Sequence, residues 1–276
     1  VTFYTDKYIT IYNADVLNGL AQIQDESIQC CVTSPPYWGL RDYGVDGQLG
    51  LEKTPEEYIE KMVAVFRKVY RVLKKDGTLW LNIGDSYAGG GRGSYGSAGT
   101  KQKTNKGSLV GPNIIPNGLK PKDMVGIPWM LAFALRSDGW YLRQDIIWSK
   151  PNPMPESVTD RCTKSHEYLF LLSKSKKYYY DLDAILEPCS PNTNMRISQN
   201  LAKQIGSERA NGGQKTNGNM KAVARTYDPG KGNKYNSSFD SAVCLPVTKR
   251  NKRSVWEVAT QSYSEAHFAT FPPQVD

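Results

Sequence analysis

The run Ile28-Gln29-Cys30-Cys31-Val32 is short and apolar, and it is stopped at once by Thr33-Ser34-Pro35-Pro36-Tyr37. That junction constrains the fold more than any other stretch of the chain. Two consecutive prolines have no N–H to give to a sheet ladder, so the apolar run reads as a buried strand ending in a rigid turn. Ser34 and Tyr37 then stand at the carboxyl edge of a strand, where open α/β sheets bind their ligands. Further candidate strands, Ile9 to Tyr12, Thr78 to Ile83, Tyr141 to Trp148 and Tyr168 to Leu172, alternate with candidate helices at Val16 to Gln22, Pro55 to Leu73 and Ile127 to Ser137. Strands separated by helices predict an α/β fold: a mostly parallel sheet with helices on both faces. The longest helix has a legible start, with Thr54 as N-cap, Pro55 at the first helical position and Glu57 three residues after the cap. Its apolar residues Tyr58, Ile59, Met62, Val65, Phe66, Val69 and Leu73 recur at helical spacing. It is expected to stop at Lys74-Lys75-Asp76-Gly77, with Gly77 in a left-handed turn.

A Ser-Pro-Pro-Tyr turn after a strand suits methyl transfer to the exocyclic amine of a nucleobase. That amine is a poor nucleophile because its lone pair is delocalised into the ring, and it becomes reactive when both of its hydrogens are bound by acceptors. Ser34 Oγ and the Pro35 carbonyl can both accept, and neither Pro35 nor Pro36 has an N–H to compete for them. Tyr37 supplies a face on which a base extruded from a duplex can stack. The bland reading of the same residues is a polyproline linker or recognition motif. The preceding strand and the following Trp38-Gly39-Leu40-Arg41-Asp42-Tyr43-Gly44 speak against it.

With these residues the chain resembles the S-adenosylmethionine-dependent amino-methyltransferases of DNA, whose catalytic motif is (Asp/Asn/Ser)-Pro-Pro-(Tyr/Phe), the Ser-Pro-Pro-Tyr form being usual in N4-cytosine enzymes. The resemblance runs nearly the whole length. Ile11-Tyr12-Asn13-Ala14-Asp15 is similar to the segment that precedes the catalytic loop, and Leu73 to Ile83 to the helix end, turn and strand that follow it. The strand segments Gly139 to Pro151 and His166 to Leu172 come next, and Ala266-His267-Phe268-Ala269-Thr270-Phe271-Pro272 resembles the segment beside the methionine half of the cofactor. Catalytic loop first and cofactor segment last is the family's β-type order. The resemblance implies a Rossmann-like sheet, S-adenosylmethionine as cofactor and double-stranded DNA as partner. It implies catalytic roles for Ser34, Pro35, Pro36 and Tyr37, and cofactor contacts at Asp15, Thr33, Ser34, His267, Phe268, Thr270, Phe271 and Pro272. The family continues past this point into an aromatic-x-Gly-x-Gly loop that holds the cofactor. With Val1 at one end and Asp276 at the other, the chain is expected to be a fragment lacking both termini or half of a split enzyme.

A second glycine pattern, Gly91-Arg92-Gly93-Ser94-Tyr95-Gly96, satisfies G-x-G-x-x-G after the strand Thr78 to Ile83. No apolar periodicity follows it, as a dinucleotide loop opening a helix would require, so a mobile loop is expected there.

Charge sharpens the partner. The 276 residues carry 35 Lys plus Arg against 27 Asp plus Glu, a formal net charge of +8, which favours a polyanion. The excess is concentrated in two stretches rich in Gly, Asn and Ser that read as long loops. From Ala88 to Lys122 the charges are Arg92, Lys101, Lys103, Lys106, Lys120 and Lys122, with no acid among them. From Glu187 to Arg253 basic residues, among them Arg196, Lys203, Arg209, Lys215, Lys221, Arg225, Lys231 and Lys234, face Glu187, Glu208, Asp228 and Asp240. Lys101, Lys103, Lys106 and the eight basic residues just named from the second stretch are candidate phosphate contacts, because the backbone dominates duplex affinity. The second stretch lies where the resembled family keeps its target-recognition region. There Arg196, Asn200, Arg209, Asn211, Gln214 and Asn217 are able to make bidentate contacts with base edges. The expected organisation is a catalytic core over 1–186 with a mobile basic loop at 88–123, a target-recognition insertion over 187–253, and the start of a cofactor segment over 254–276.

Other chemistries are excluded by pattern. The five cysteines include no C-x-x-C pair, and Cys30 and Cys31 are expected on the buried strand, so neither zinc nor disulfide is indicated. His166-Glu167 lacks a second His at zinc-protease spacing, and no metal is expected. C5-cytosine methylation needs a thiolate where this loop offers a serine. No apolar run of about eighteen residues is present, and a cytoplasmic protein of a restriction-modification or phage system, with a possible cognate endonuclease, is expected. N6-adenine methylation by the same mechanism remains open, as does a DNA-binding protein without catalysis.

Overall fold

A computed structural model describes residues 2–40, 45–89, 115–190 and 249–261, and divides the chain into two units, 1–180 with 254–276, and 181–253.

The first unit is built on a five-stranded sheet. β3 (Ile28–Thr33) pairs in parallel with β4 (Leu73–Ile83), β4 antiparallel with β6 (His166–Ser173), β6 antiparallel with β5 (Tyr141–Ser149), and β5 in parallel with β9 (Val255–Glu257). Four strands therefore run one way and β6 alone is reversed, in keeping with the expected mostly parallel α/β sheet. The reversal matters for the site, because the amino end of β6 lies beside the carboxyl ends of β4 and β5. In register terms, Ile83 is opposite Tyr168, and Trp148 opposite Glu167.

Helices α2 (Pro55–Val72) and α3 (Ile127–Ser137) cover one face. Alternation along the strands supplies that face with Leu79, Leu81, Ile83, Phe170 and Leu172, which form one buried cluster with Tyr58, Met62, Phe66, Leu131 and Leu135. Burying each such side chain fully is worth about 1.5–3 kcal/mol relative to exposure. The opposite face carries Trp80, Asn82, Leu169 and Trp148, with Trp256 and Val258 lying against them. The first helical turn of α2 is closed as expected: Thr54 Oγ1 accepts from Glu57 N at 3.2 Å, and the Glu57 carboxylate reaches back to Lys53 N.

Three local expectations need correction. Gly77 does not make a left-handed turn, since α2 ends with Leu73 in extended backbone and β4 begins there, running without interruption to Ile83. Its glycine answers a close approach instead: a Cβ at Gly77 would lie 3.0 Å from Lys74 O and 3.2 Å from Gln29 O, where β4 crosses β3. The strand before the prolines is only half buried. Cys30 is exposed, Cys31 is intermediate and Val32 is 53% exposed, because β3 is the edge of the sheet among the described residues. Finally, β2 (Thr10–Tyr12) does not join the main sheet but forms a hairpin with β1 (Thr2–Thr5), a strand that sequence reading missed. Helix α1 (Val16–Ala21) follows it.

The second unit is described only at its ends. There α4 (Leu182–Ile185) precedes β7 (Glu187–Pro188), which pairs antiparallel with β8 (Lys249–Arg250), and Glu187 meets Arg250 at 3.4 Å. The residues between, 191–248, and also 90–114, lie outside the described residues.

Candidate active site

Ser34, Pro35, Pro36 and Tyr37 leave the carboxyl end of β3 as one turn, braced from α2 and from the segment that precedes it. Tyr58 of α2 donates its hydroxyl to the Pro36 carbonyl at 2.9 Å. Burial, then the Glu52 carboxylate, pushes the Tyr58 phenol far above its ordinary value, so it is a permanent donor. Behind Tyr37, Trp38 Nε1 donates to Glu52 O at 3.0 Å, and Gly39 N to Gly50 O at 2.8 Å. The Glu52 side chain itself is buried, accepting from Gly50 N and pairing with Lys61 at 3.2 Å. The turn is thus held through its outer half. Among the described residues nothing hydrogen-bonds to Ser34 Oγ or to the Pro35 carbonyl, so two adjacent acceptors remain open at the end of the strand.

Tyr37 is anchored at the other end of its ring. Its hydroxyl lies 2.9 Å from Asn82 Oδ1 on β4 and 2.8 Å from Glu167 Oε2 on β6. Asn82 is oriented by donating Nδ2 to Tyr168 O at 3.2 Å. The other Glu167 oxygen is paired with the ammonium of Lys150, the residue that follows β5. Burial pushes the Glu167 carboxyl up, but the Lys150 charge and the hydrogen bonds from Lys150 and Tyr37 outweigh it and hold the group below its ordinary value. Burial and the Glu167 charge together push the Tyr37 phenol well above its own. Gly84, just past β4, lets the ring in: a Cβ there would stand 2.7 Å from Tyr37 Cε2. Asp85, the next residue, accepts from Gly126 N at 2.9 Å and Ile127 N at 3.1 Å, capping α3 across the chain. Lys164 places a further buried ammonium near Asp85 and Glu167, its pKa lowered by burial against their pull.

Of the site residues read from the sequence, Thr33 ends β3 and Ser34, Pro35, Pro36 and Tyr37 form the turn that leaves it. Asp15 stands at the start of α1, where Oδ1 accepts from Leu17 N at 3.0 Å, a helix-capping bond the sequence reading did not anticipate. The cofactor candidates at 267–272 and the DNA-contact candidates at 101–106 and 196–234 lie outside the described residues. Sequence reasoning missed Asn82, Glu167, Lys150 and Tyr58 as parts of this site. A signal for two of them existed: Asn82 is a lone amide inside Leu79-Trp80-Leu81-Asn82-Ile83, and Glu167 a lone acid beside an apolar strand. Among the described residues no group of three His, Cys, Asp or Glu could hold a metal ion.

Polar side chains from α2, β4 and β6 thus meet at the Ser-Pro-Pro-Tyr turn. The family model described as DNA methylase, of the N6/N4 methyltransferases, matches residues 28–275, and the chain belongs to that family. It is similar to the Type II methyltransferase M.Cfr9I of Citrobacter freundii, 43% identical over 266 residues, which are 96% of this chain and 69% of that protein. It is also similar to M.SmaI of Serratia marcescens, 45% identical over 258 residues, 94% of this chain and again 69% of the relative. Among solved structures, the PvuII DNA methyltransferase (cytosine-N4-specific) aligns with a TM-score of 0.45 at 17% identity, over 68% of this chain and 62% of that one.

Proposed function

We propose that this chain is the catalytic part of a site-specific DNA methyltransferase that moves a methyl group from S-adenosylmethionine to N4 of a cytosine extruded from duplex DNA. The observation that carries the reading is the pair of open acceptors. An exocyclic amine has two hydrogens to place, and among the described residues Ser34 Oγ and the Pro35 carbonyl are uncommitted neighbours, whereas the Pro36 carbonyl is already engaged by Tyr58. Accepting both hydrogens draws the amine away from planarity and frees its lone pair. Tyr37, pinned beside them, offers a ring for the extruded base.

S-adenosylmethionine, when bound, supplies an electrophilic methyl group. The described residues fit it at two points. Thr33 and Ser34 stand at the carboxyl end of an edge strand, the usual ligand position in an open α/β sheet. Asp15 presents an exposed carboxylate, suited to the cofactor's ammonium or ribose hydroxyls. His267, Phe268, Thr270, Phe271 and Pro272 would complete the contact. Lys and Arg of 101–106 and 196–234 would hold the DNA backbone, and the polar residues between 196 and 217 would read the site. A restriction-modification pairing with a cognate endonuclease follows from the same reading. Among the described residues no helix is long and apolar enough to cross a membrane.

Nucleoside mass spectrometry of mixed-sequence DNA incubated with labelled S-adenosylmethionine tests this. N4-methylcytosine is the expected product. N6-methyladenine would correct the base, and duplex binding with no methylated base would replace the enzyme by a DNA-binding protein.

A further inference from the structure

We propose that Glu167, held by Lys150, is a positioning residue for methyl transfer: with Asn82 it anchors the Tyr37 hydroxyl and thereby sets the plane on which the target base stacks. This rests on the function proposed above.

The phenol has one hydrogen and faces two acceptors, Glu167 Oε2 at 2.8 Å and Asn82 Oδ1 at 2.9 Å. A carboxylate is the stronger acceptor, so Glu167 takes the larger share of that hydrogen. Asn82 cannot turn its amide to donate instead without giving up Tyr168 O. Glu167 is itself fixed, since its second oxygen is bound by Lys150, whose backbone N–H donates to Ser165 O at 2.7 Å and whose ammonium lies 4.7 Å from the Trp148 ring centroid. An ionised carboxylate with so little contact with water persists only when paired, and Lys150 is the pair. The ring has two torsions to settle. Its hydroxyl end is fixed by β4 and β6, its edge by the bare backbone of Gly84, and its root by the prolines. Three strand ends thus meet at one aromatic ring, beside Ser34 Oγ and the Pro35 carbonyl, and a fourth acts on it through Lys150 and Glu167.

A network that merely braces the fold would show itself in stability, whereas a positioning device shows itself in ring geometry and rate. The test uses full-length protein labelled with 3-fluorotyrosine, together with Tyr37→Phe, Glu167→Gln and the double variant. Loss of one ¹⁹F signal in Tyr37→Phe identifies Tyr37. In Glu167→Gln that signal is expected to shift and broaden while those of other tyrosines far from the site stay in place. Single-turnover methylation of mixed-sequence DNA is expected to fall about tenfold in each single variant, the loss of roughly 1.4 kcal/mol of transition-state stabilisation. The double variant is expected to lose no more than either, because both remove one bond. Duplex affinity should stay at the wild-type value. An unmoved Tyr37 signal in Glu167→Gln, or single-variant losses that multiply in the double, would overturn the proposal. Wild-type protein that transfers no methyl group to DNA sinks the function and this inference together. A methylating wild type matched by Glu167→Gln at full rate sinks the inference alone.

Discussion

The turn after β3 and the hairpin at the start of the chain are both short, both near the edge of the first unit's sequence, and built in opposite ways. Around Tyr37, side chains from α2, β4 and β6 each give a polar group to the turn, and a lysine after β5 holds the one from β6. Around the β1–β2 hairpin and α1, apolar side chains face water: Phe3, Tyr8, Ile9, Ile11, Val16 and Leu17 are all exposed. Of these two regions, the one where chemistry is proposed is the more firmly held. A turn that must present two acceptors to an amine gains from being fixed before substrate arrives, since nothing has to be ordered at the moment of reaction.

The largest effect should come from removing an acceptor. Ser34→Ala is expected to lower the methylation rate by about 10²–10³-fold, the scale of losing one preorganised hydrogen bond to the reacting group. Duplex affinity should hardly change, because phosphate contacts supply most of it. Binding that falls in parallel with rate would remove Ser34 from the chemistry. Gly84→Ala comes next. The added Cβ would sit 2.7 Å from Tyr37 Cε2, so the ring must leave its position or the backbone must give. Overpacking of this kind costs about 1–3 kcal/mol, read as a lower unfolding midpoint, and the displaced ring should cost rate as well. A variant with wild-type stability and rate would show that the contact is slack.

The same contrast explains what was legible in the sequence. Elements that depend on local pattern could be read: the capped start of α2, the span of α3, the strands β4 to β6 and the turn at Ser34 all follow from periodicity, proline and capping residues. Exposure depends on neighbours, which is why β3 was expected to be buried although Cys30 and Val32 are open. Gly77 was misread because close approach of two strands and a left-handed turn both call for glycine, and only the fold distinguishes them. The support of Tyr37 was invisible for a further reason. Glu167 and Lys150 are 17 residues apart and Tyr37 lies 130 residues before Glu167, so no spacing rule connects them.

Acid should separate the two regions. The Glu167 carboxyl is held below its ordinary value in the folded protein, so its contribution to stability is complete above the value it has in the unfolded chain. That contribution is lost as pH falls through the lower folded value. The unfolding midpoint of wild type should therefore exceed that of Glu167→Gln at neutral pH, and the gap should close in acid. His166, kept low by burial and by the Lys164 charge, also favours unfolding in acid, which is why the comparison must be between these two proteins. A gap that is constant with pH would mean that the ion pair contributes nothing. Tyr58→Phe is expected to have a smaller effect, about 1 kcal/mol of stability for one hydrogen bond. It removes a brace from the turn, and a large drop in rate there would show that the Tyr58 bond positions the turn for reaction as well as holding it.

The smallest effect should be found in the hairpin. Phe3 is 73% exposed, and every residue of β1 faces solvent, so Phe3→Ser removes a ring that is already in water in the folded state. Substitutions at such positions usually stay within about 0.5 kcal/mol of wild type, and neither the unfolding midpoint nor the methylation rate should move measurably. The measurement has force in the opposite direction. A destabilisation above about 1.5 kcal/mol is the scale of uncovering a large buried side chain, and would mean that in solution the Phe3 ring is packed against another surface. The two regions would then differ in what covers them and not in how firmly they are held, and the rigidity assigned to the Tyr37 turn would no longer set it apart.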